Sequence, residues 1–151
     1  MIDTAAGISS SVIFFNVSAQ EILVVVSPEP TSITDSYALM KVLSLQHGEK
    51  NFKLIVNSAH TVKEADDVYK QLNLVTDRFL DISLEYVGCV LYDEKLTKSV
   101  RRQKIVGEIF PDTISTCCFN TVAKHICESH PLYPAGKDRG FFLKNLFSKK
   151  V

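Results

Sequence analysis

Apolar positions along the chain switch repeatedly between a strand-like and a helix-like period. Residues 21–27 read EILVVVS, a short continuous apolar run rich in β-branched side chains, as expected of a strand covered on both faces. Pro28, Glu29 and Pro30 stop it. Ser32 and Asp35 then stand in capping-box spacing, and Ile33, Tyr37, Met40, Val42 and Leu43 continue a helical pattern until Gly48. A second cycle follows, with a strand over 52–56, Asn57 at its C-terminal end, a capping box at Thr61 and Glu64, and a helix to about Phe79. The third has a strand over 84–91, a loop at Tyr92 and Asp93, and a helix over about 94–102. After Pro111 a longer helix is expected over 113–128, and one over 8–19 precedes the first strand. Met1 and Ile2 read as the end of a strand leading into a turn at 3–7, so the chain is expected to begin in mid-domain.

Strand alternating with helix predicts an α/β fold, a mostly parallel sheet with helices on both faces. Ligands of such sheets sit at the carboxyl ends of the strands. The residues placed there are Asp3, Ser27, Pro28, Glu29, Asn57, Leu91, Tyr92 and Asp93.

Size and charge narrow the picture. The 151 residues (16.9 kDa) make one domain or part of a larger one. With 46% hydrophobic and 23% charged residues there is enough apolar material for a core, which excludes wholesale disorder. Seventeen basic residues against seventeen acidic ones exclude a surface built throughout to hold nucleic acid, and the longest apolar runs are too short to span a bilayer. The balance is uneven, however. Residues 137–151 hold Lys137, Arg139, Lys144, Lys149 and Lys150 against Asp138, so the body at 1–136 is acidic and the tail basic.

The tail carries its own message. At 100° per residue Phe142, Leu143, Leu146 and Phe147 share one face, with Lys144 and Asn145 opposite, the composition of a helix lying in a membrane interface. The alternative is a terminal helix docked on its own domain. This divides the chain into a body at 1–129, a linker at 130–139 containing Pro131, Pro134 and Gly136, and an amphipathic membrane-targeting helix at 140–151. The basic cluster Lys98, Arg101, Arg102 and Lys104 is read as solvated surface. Cys89, Cys117, Cys118 and Cys127 occur without a secretory leader, which fits a reducing, cytoplasmic setting and buried, inert thiols. A metal set of Cys117, His125, Cys127 and His130 is the competing reading, but it lacks CxxC spacing.

The stretch Ile2-Asp3-Thr4-Ala5-Ala6-Gly7-Ile8-Ser9, followed by Ser27-Pro28-Glu29-Pro30-Thr31-Ser32-Ile33-Thr34-Asp35-Ser36-Tyr37-Ala38-Leu39, resembles the MinD/ParA-type P-loop ATPases. It is most similar to the FlhG (FleN) branch, which regulates the number and placement of flagella, and the likeness runs over 2–129. The resemblance implies the C-terminal part of a MinD-like P-loop NTPase sheet. It places Asp3 near magnesium and the attacking water, and Ala5, Ala6 and Gly7 in the segment that senses the γ-phosphate. Asn57 then contacts adenine, with Leu91, Tyr92 and Asp93 lining the same pocket, although Leu91 stands where the family usually has proline. Pro28, Glu29 and Pro30 fall where the family's nucleotide-sandwich dimer forms. Phe142, Leu143, Lys144, Leu146 and Phe147 match the membrane-targeting helix that ends MinD. Implied partners are ATP and magnesium in the intact protein, a second copy, the inner face of the cytoplasmic membrane, flagellar components and a signal-recognition-type GTPase, FlhF; nucleic acid is not among them.

One motif is missing. Nowhere does GxxxxGK followed by Ser or Thr occur, so the loop that cradles phosphates, its lysine and its magnesium-binding hydroxyl are not in these 151 residues. The chain is therefore expected not to hydrolyse ATP alone and to hold neither cofactor. The alternative function is a nucleotide-free binding module that keeps the dimer and membrane surfaces.

Overall fold

In the computed structural model, which describes residues 1–128, three parallel strands run in the order β1-β2-β3. The elements follow the chain as α1 (Ser10–Ser18), β1 (Leu23–Val26), α2 (Pro30–His47), β2 (Asn51–Ala59), α3 (Val62–Leu80), β3 (Ser83–Leu91), α4 (Glu94–Arg101), α5 (Val106–Ile109) and α6 (Ile114–Glu128). This is the α/β arrangement expected for the C-terminal part of a P-loop NTPase sheet. The linker and tail helix read from the sequence lie outside the described residues.

One face of the sheet carries the main core. Val24 and Val26 of β1 and Phe52, Leu54 and Val56 of β2 meet Met40 and Leu43 of α2 and Ala65, Val68 and Leu72 of α3. Most of these side chains are removed from water altogether, and burial of this kind supplies about 1.5–3 kcal/mol for each large aliphatic group. Over β3 and Ile55 of β2 the opposite face is covered by α6, whose Val122 packs on Val87, Val90 and Ile55. Gly88 lets α6 approach. Its φ is +145°, and a Cβ there would stand 3.2 Å from Val122 Cγ2. The pairing slips nearby, since Leu54 lies opposite Tyr86 but Ile55 lies opposite Gly88, leaving Val87 as the extra residue of a bulge.

Several boundaries differ from the sequence reading. Met1 and Ile2 belong to no strand among the described residues. Helix α2 begins at Pro30, with Glu29 as N-cap, so Ser32 and Asp35 lie inside its first turns and form no capping box. Proline at the first helical position costs no hydrogen bond, which is why the helix starts earlier. Strand β2 continues to Ala59, two residues past Asn57, because the buried Ala59 stays paired through a second irregularity at Ser58 (φ 59°). Thr61 caps α3 as expected, accepting from the Glu64 N–H at 3.1 Å, but the Glu64 carboxylate accepts from His60 N–H rather than from Thr61. Helix α5 was not anticipated; four residues are too few for a periodic signal.

Candidate functional site

The carboxyl ends of the three strands carry two separate groups of the expected residues. The first surrounds a groove of about 1300 Å³ beside β1. Asp3, Ala5, Ala6 and Gly7 lie along one wall, all exposed; Leu23 and Val25 of β1 and Ser32 and Asp35 of α2 belong to the other. Gly7 takes φ +97°, with nothing within 4 Å of where a Cβ would project, so the turn is open to solvent. Pro28, Glu29 and Pro30 join β1 to α2, and there Ser27 N–H donates to Ser32 Oγ at 3.0 Å. That bond closes the end of β1 and gives Ser32 a role other than the one its spacing suggested.

The second group sits at the ends of β2 and β3. Asn57 is half-buried and lies opposite Val90. Tyr92 N–H donates to Ala59 O at 2.8 Å, which holds the two strand ends together. The exposed Tyr92 ring stands 5.4 Å from the His60 ring. His60 carried no signal in the sequence, because β2 was expected to end at Val56. Asn57, Leu91, Tyr92 and Asp93 do not line the groove beside β1, so the structure keeps the two sets of expected residues apart.

Asp93 has a structural occupation. Its carboxylate caps α4 by accepting from Lys95 N–H at 2.8 Å, and also accepts from the Thr113 hydroxyl, from Ser115 Oγ at 2.8 Å and from Ser115 N–H at 3.2 Å. The Thr113 hydroxyl, with the backbone and Ser115 donors, holds the carboxyl well below the usual carboxylate range. Asp93 thus ties the end of β3, the start of α4 and the start of α6 into one joint. Thr113 and Ser115 are buried partners that sequence reading missed, although Asp before Glu-Lys is itself an N-cap signal.

Cysteines depart from expectation as well. All four are free thiols, but Cys117 and Cys127 are exposed and Cys89 and Cys118 half-buried, so they are not the buried set expected. The three on α6 sit where they do because that helix packs through Val122 with Cys118 and Ile126 beside it, while Cys89 of β3 packs against the main core. His125 turns to β3, its Nδ1 2.8 Å from Val87 O. Among the described residues no group of three or more His, Cys, Asp or Glu is placed to hold a metal, and His130 lies outside them. Nor do the residues present complete a magnesium-phosphate site: Asp3 is a single exposed carboxylate, and Ala5, Ala6 and Gly7 form an open turn rather than a cradle.

Among the described residues no helix is long and apolar enough to cross a membrane. No protein-family model matches the chain. Curated relatives do. Over 149 residues it is 46% identical to antiactivator FleN of Pseudomonas aeruginosa, covering 97% of this chain and 52% of that protein. Over 124 residues it is 28% identical to flagellum site-determining protein YlxH of Helicobacter pylori, covering 82% of this chain and 42% of that protein. The chain spans about half the length of these relatives. With its paired motifs at residues 2–9 and 27–39 and its parallel α/β sheet, the chain belongs to the FlhG (FleN) branch of the MinD/ParA family.

Proposed function

We propose that this chain is part of an ATP-dependent, membrane-associated switch that sets the number or placement of flagella, and that alone it does not hydrolyse ATP. The observation that carries this reading is the 46% identity to antiactivator FleN along 97% of the chain. In the intact protein, ATP bound with magnesium would bias a two-state dimerisation by binding one state more tightly. The residues here would provide part of the surroundings of that nucleotide. Asp3 would stand on the magnesium side, Ala5, Ala6 and Gly7 on the γ-phosphate side, and Asn57, Leu91, Tyr92 and the Asp93 backbone on the adenine side. Pro28, Glu29 and Pro30 form part of the contact between two copies. Phe142, Leu143, Lys144, Leu146 and Phe147 hold the tail to the cytoplasmic membrane face, where each lysine near anionic lipid contributes about 1 kcal/mol. Flagellar components and an FlhF-type GTPase are the protein partners.

Calorimetry with magnesium and ATP on the 151-residue chain, with vesicle flotation of the same sample, tests the reading. No nucleotide heat is expected, together with flotation on anionic vesicles that is lost when residues 140–151 are deleted. Micromolar ATP binding, or flotation indifferent to that deletion, would show the assignment to be wrong.

A further inference from the structure

Basic side chains are concentrated in one part of the body. Residues 94–104 hold Lys95, Lys98, Arg101, Arg102 and Lys104 against the single acid Glu94, while the rest of the described chain holds seven basic side chains against fifteen acidic ones. All five are exposed, on α4 and on the turn that follows it. Lys98 pairs with Glu94 at 3.6 Å, and Lys95 stands 5.8 Å from the centre of the Phe110 ring. Arg101, Arg102 and Lys104 have no carboxylate partner among the described residues.

The sequence alone reads as a solvated face, and the structure adds two things. First, the cluster is held in place. Asp93 fixes the start of α4 and Ser99 is buried within it. At its end Gln103 N–H donates to Val100 O at 2.9 Å and Lys104 N–H to Ser99 O at 3.1 Å. These are the two bonds of a Schellman turn, with Gln103 left-handed (φ 52°) where glycine is usual. Second, Val100 and Ile105, 66% and 67% exposed, stand among the cations at the two ends of that turn.

We propose that α4 and its turn, residues 94–105, form a docking surface for an acidic segment of another protein that carries aliphatic side chains between its carboxylates. The unpaired guanidinium groups of Arg101 and Arg102 suit two-pronged bonds to carboxylates, and aliphatic groups of the partner cover Val100 and Ile105. A turn already fixed by its own backbone loses little freedom on binding. The acidic remainder of the body repels the same partner elsewhere, which sets its orientation. Other anions fit less well. Single-stranded nucleic acid is held by stacking on aromatic rings, and lipid-facing helices use aromatic and leucine side chains, but residues 94–105 expose neither. The inference does not use the nucleotide or membrane reading, and stands or falls apart from both.

The test is binding of a short fluorescent peptide of repeating Glu-Glu-Leu-Leu to the 151-residue chain, followed by anisotropy and located by NMR shifts. Binding is expected, with shifts at Lys98, Val100, Arg101 and Ile105, and it should weaken severalfold between about 0.01 and 0.15 M salt. Arg101→Gln with Arg102→Gln should weaken it about tenfold, and Val100→Ser with Ile105→Ser about threefold. The same peptide with Gln in place of Glu should not bind. Should a variant fail to fold, the position of the shifts in the unmodified chain decides. Absence of binding, shifts confined to residues 137–151, or full affinity in the serine variant would each overturn the proposal. Duplex DNA or phosphatidylglycerol vesicles engaging Val100 and Ile105 more tightly than the peptide would overturn it too.

Discussion

On the β2–β3 side the sheet is covered above and below, by α3 on one face and α6 on the other, whereas β1 is covered on one face only. The same sequence device, a run of β-branched residues, therefore has two outcomes. In β2, Ile55 points away from the main core and is still 8% exposed because Val87, Val90 and Val122 enclose it; in β1, Val25 points the same way and is 56% exposed. A doubly apolar strand is a statement about neighbours that must come from elsewhere. At β1 they do not come from the described residues.

Substitutions on the two sides should separate accordingly. Leu72→Ala on α3 empties a fully buried position and should cost about 2–5 kcal/mol in chemical denaturation. Gly88→Ala is next: a side chain at φ +145°, pressed on Val122, should cost about 1–3 kcal/mol and loosen α6 from β3. Loss of less than about 0.5 kcal/mol there would mean that α6 is not held as close as described.

Asp93→Ala should follow, at about 1 kcal/mol for the helix cap alone. Its pH dependence has a definite sign. The folded-state pKa is depressed, so the stabilisation is fully present above the unfolded value of about 3.9 and is lost as pH falls through the folded value. The stability difference between wild type and Asp93→Asn should stay level from pH 7 to pH 5 and narrow below about pH 4. A difference that narrowed between pH 7 and pH 5 would contradict the hydrogen bonding at this joint. Leu23→Ala on the open side should have the smallest effect, within about 0.5 kcal/mol, since this side chain is already exposed.

Much of the scaffold could be read from the chain because strand and helix periods are local properties. Residues 21–27, Thr61 with Glu64, and the stop at Gly48 each announce themselves without tertiary information. The failures were of other kinds. Asn57 was set at a strand end because the apolar run stops at Val56, yet β2 continues through Ser58 to Ala59, held by pairing to Leu91 that no local pattern encodes. The structural bonds of Asp93 are equally out of reach of a local pattern, since three of its four come from residues twenty or more positions away. His60 beside Tyr92 depends on the same extension of β2 and could not be seen before it. Family membership rested on two motifs, and whole-chain similarity to FleN supports it.

Hydrogen exchange on the isolated 151-residue chain measures the asymmetry of the sheet most directly. Val24 and Val26 amides should exchange at least a hundredfold more slowly than those of Leu23 and Val25, because the first pair is bonded to β2 and the second faces the open groove. Equal protection of all four amides would mean that β1 already has a second neighbour, and that the sheet is not open on that side.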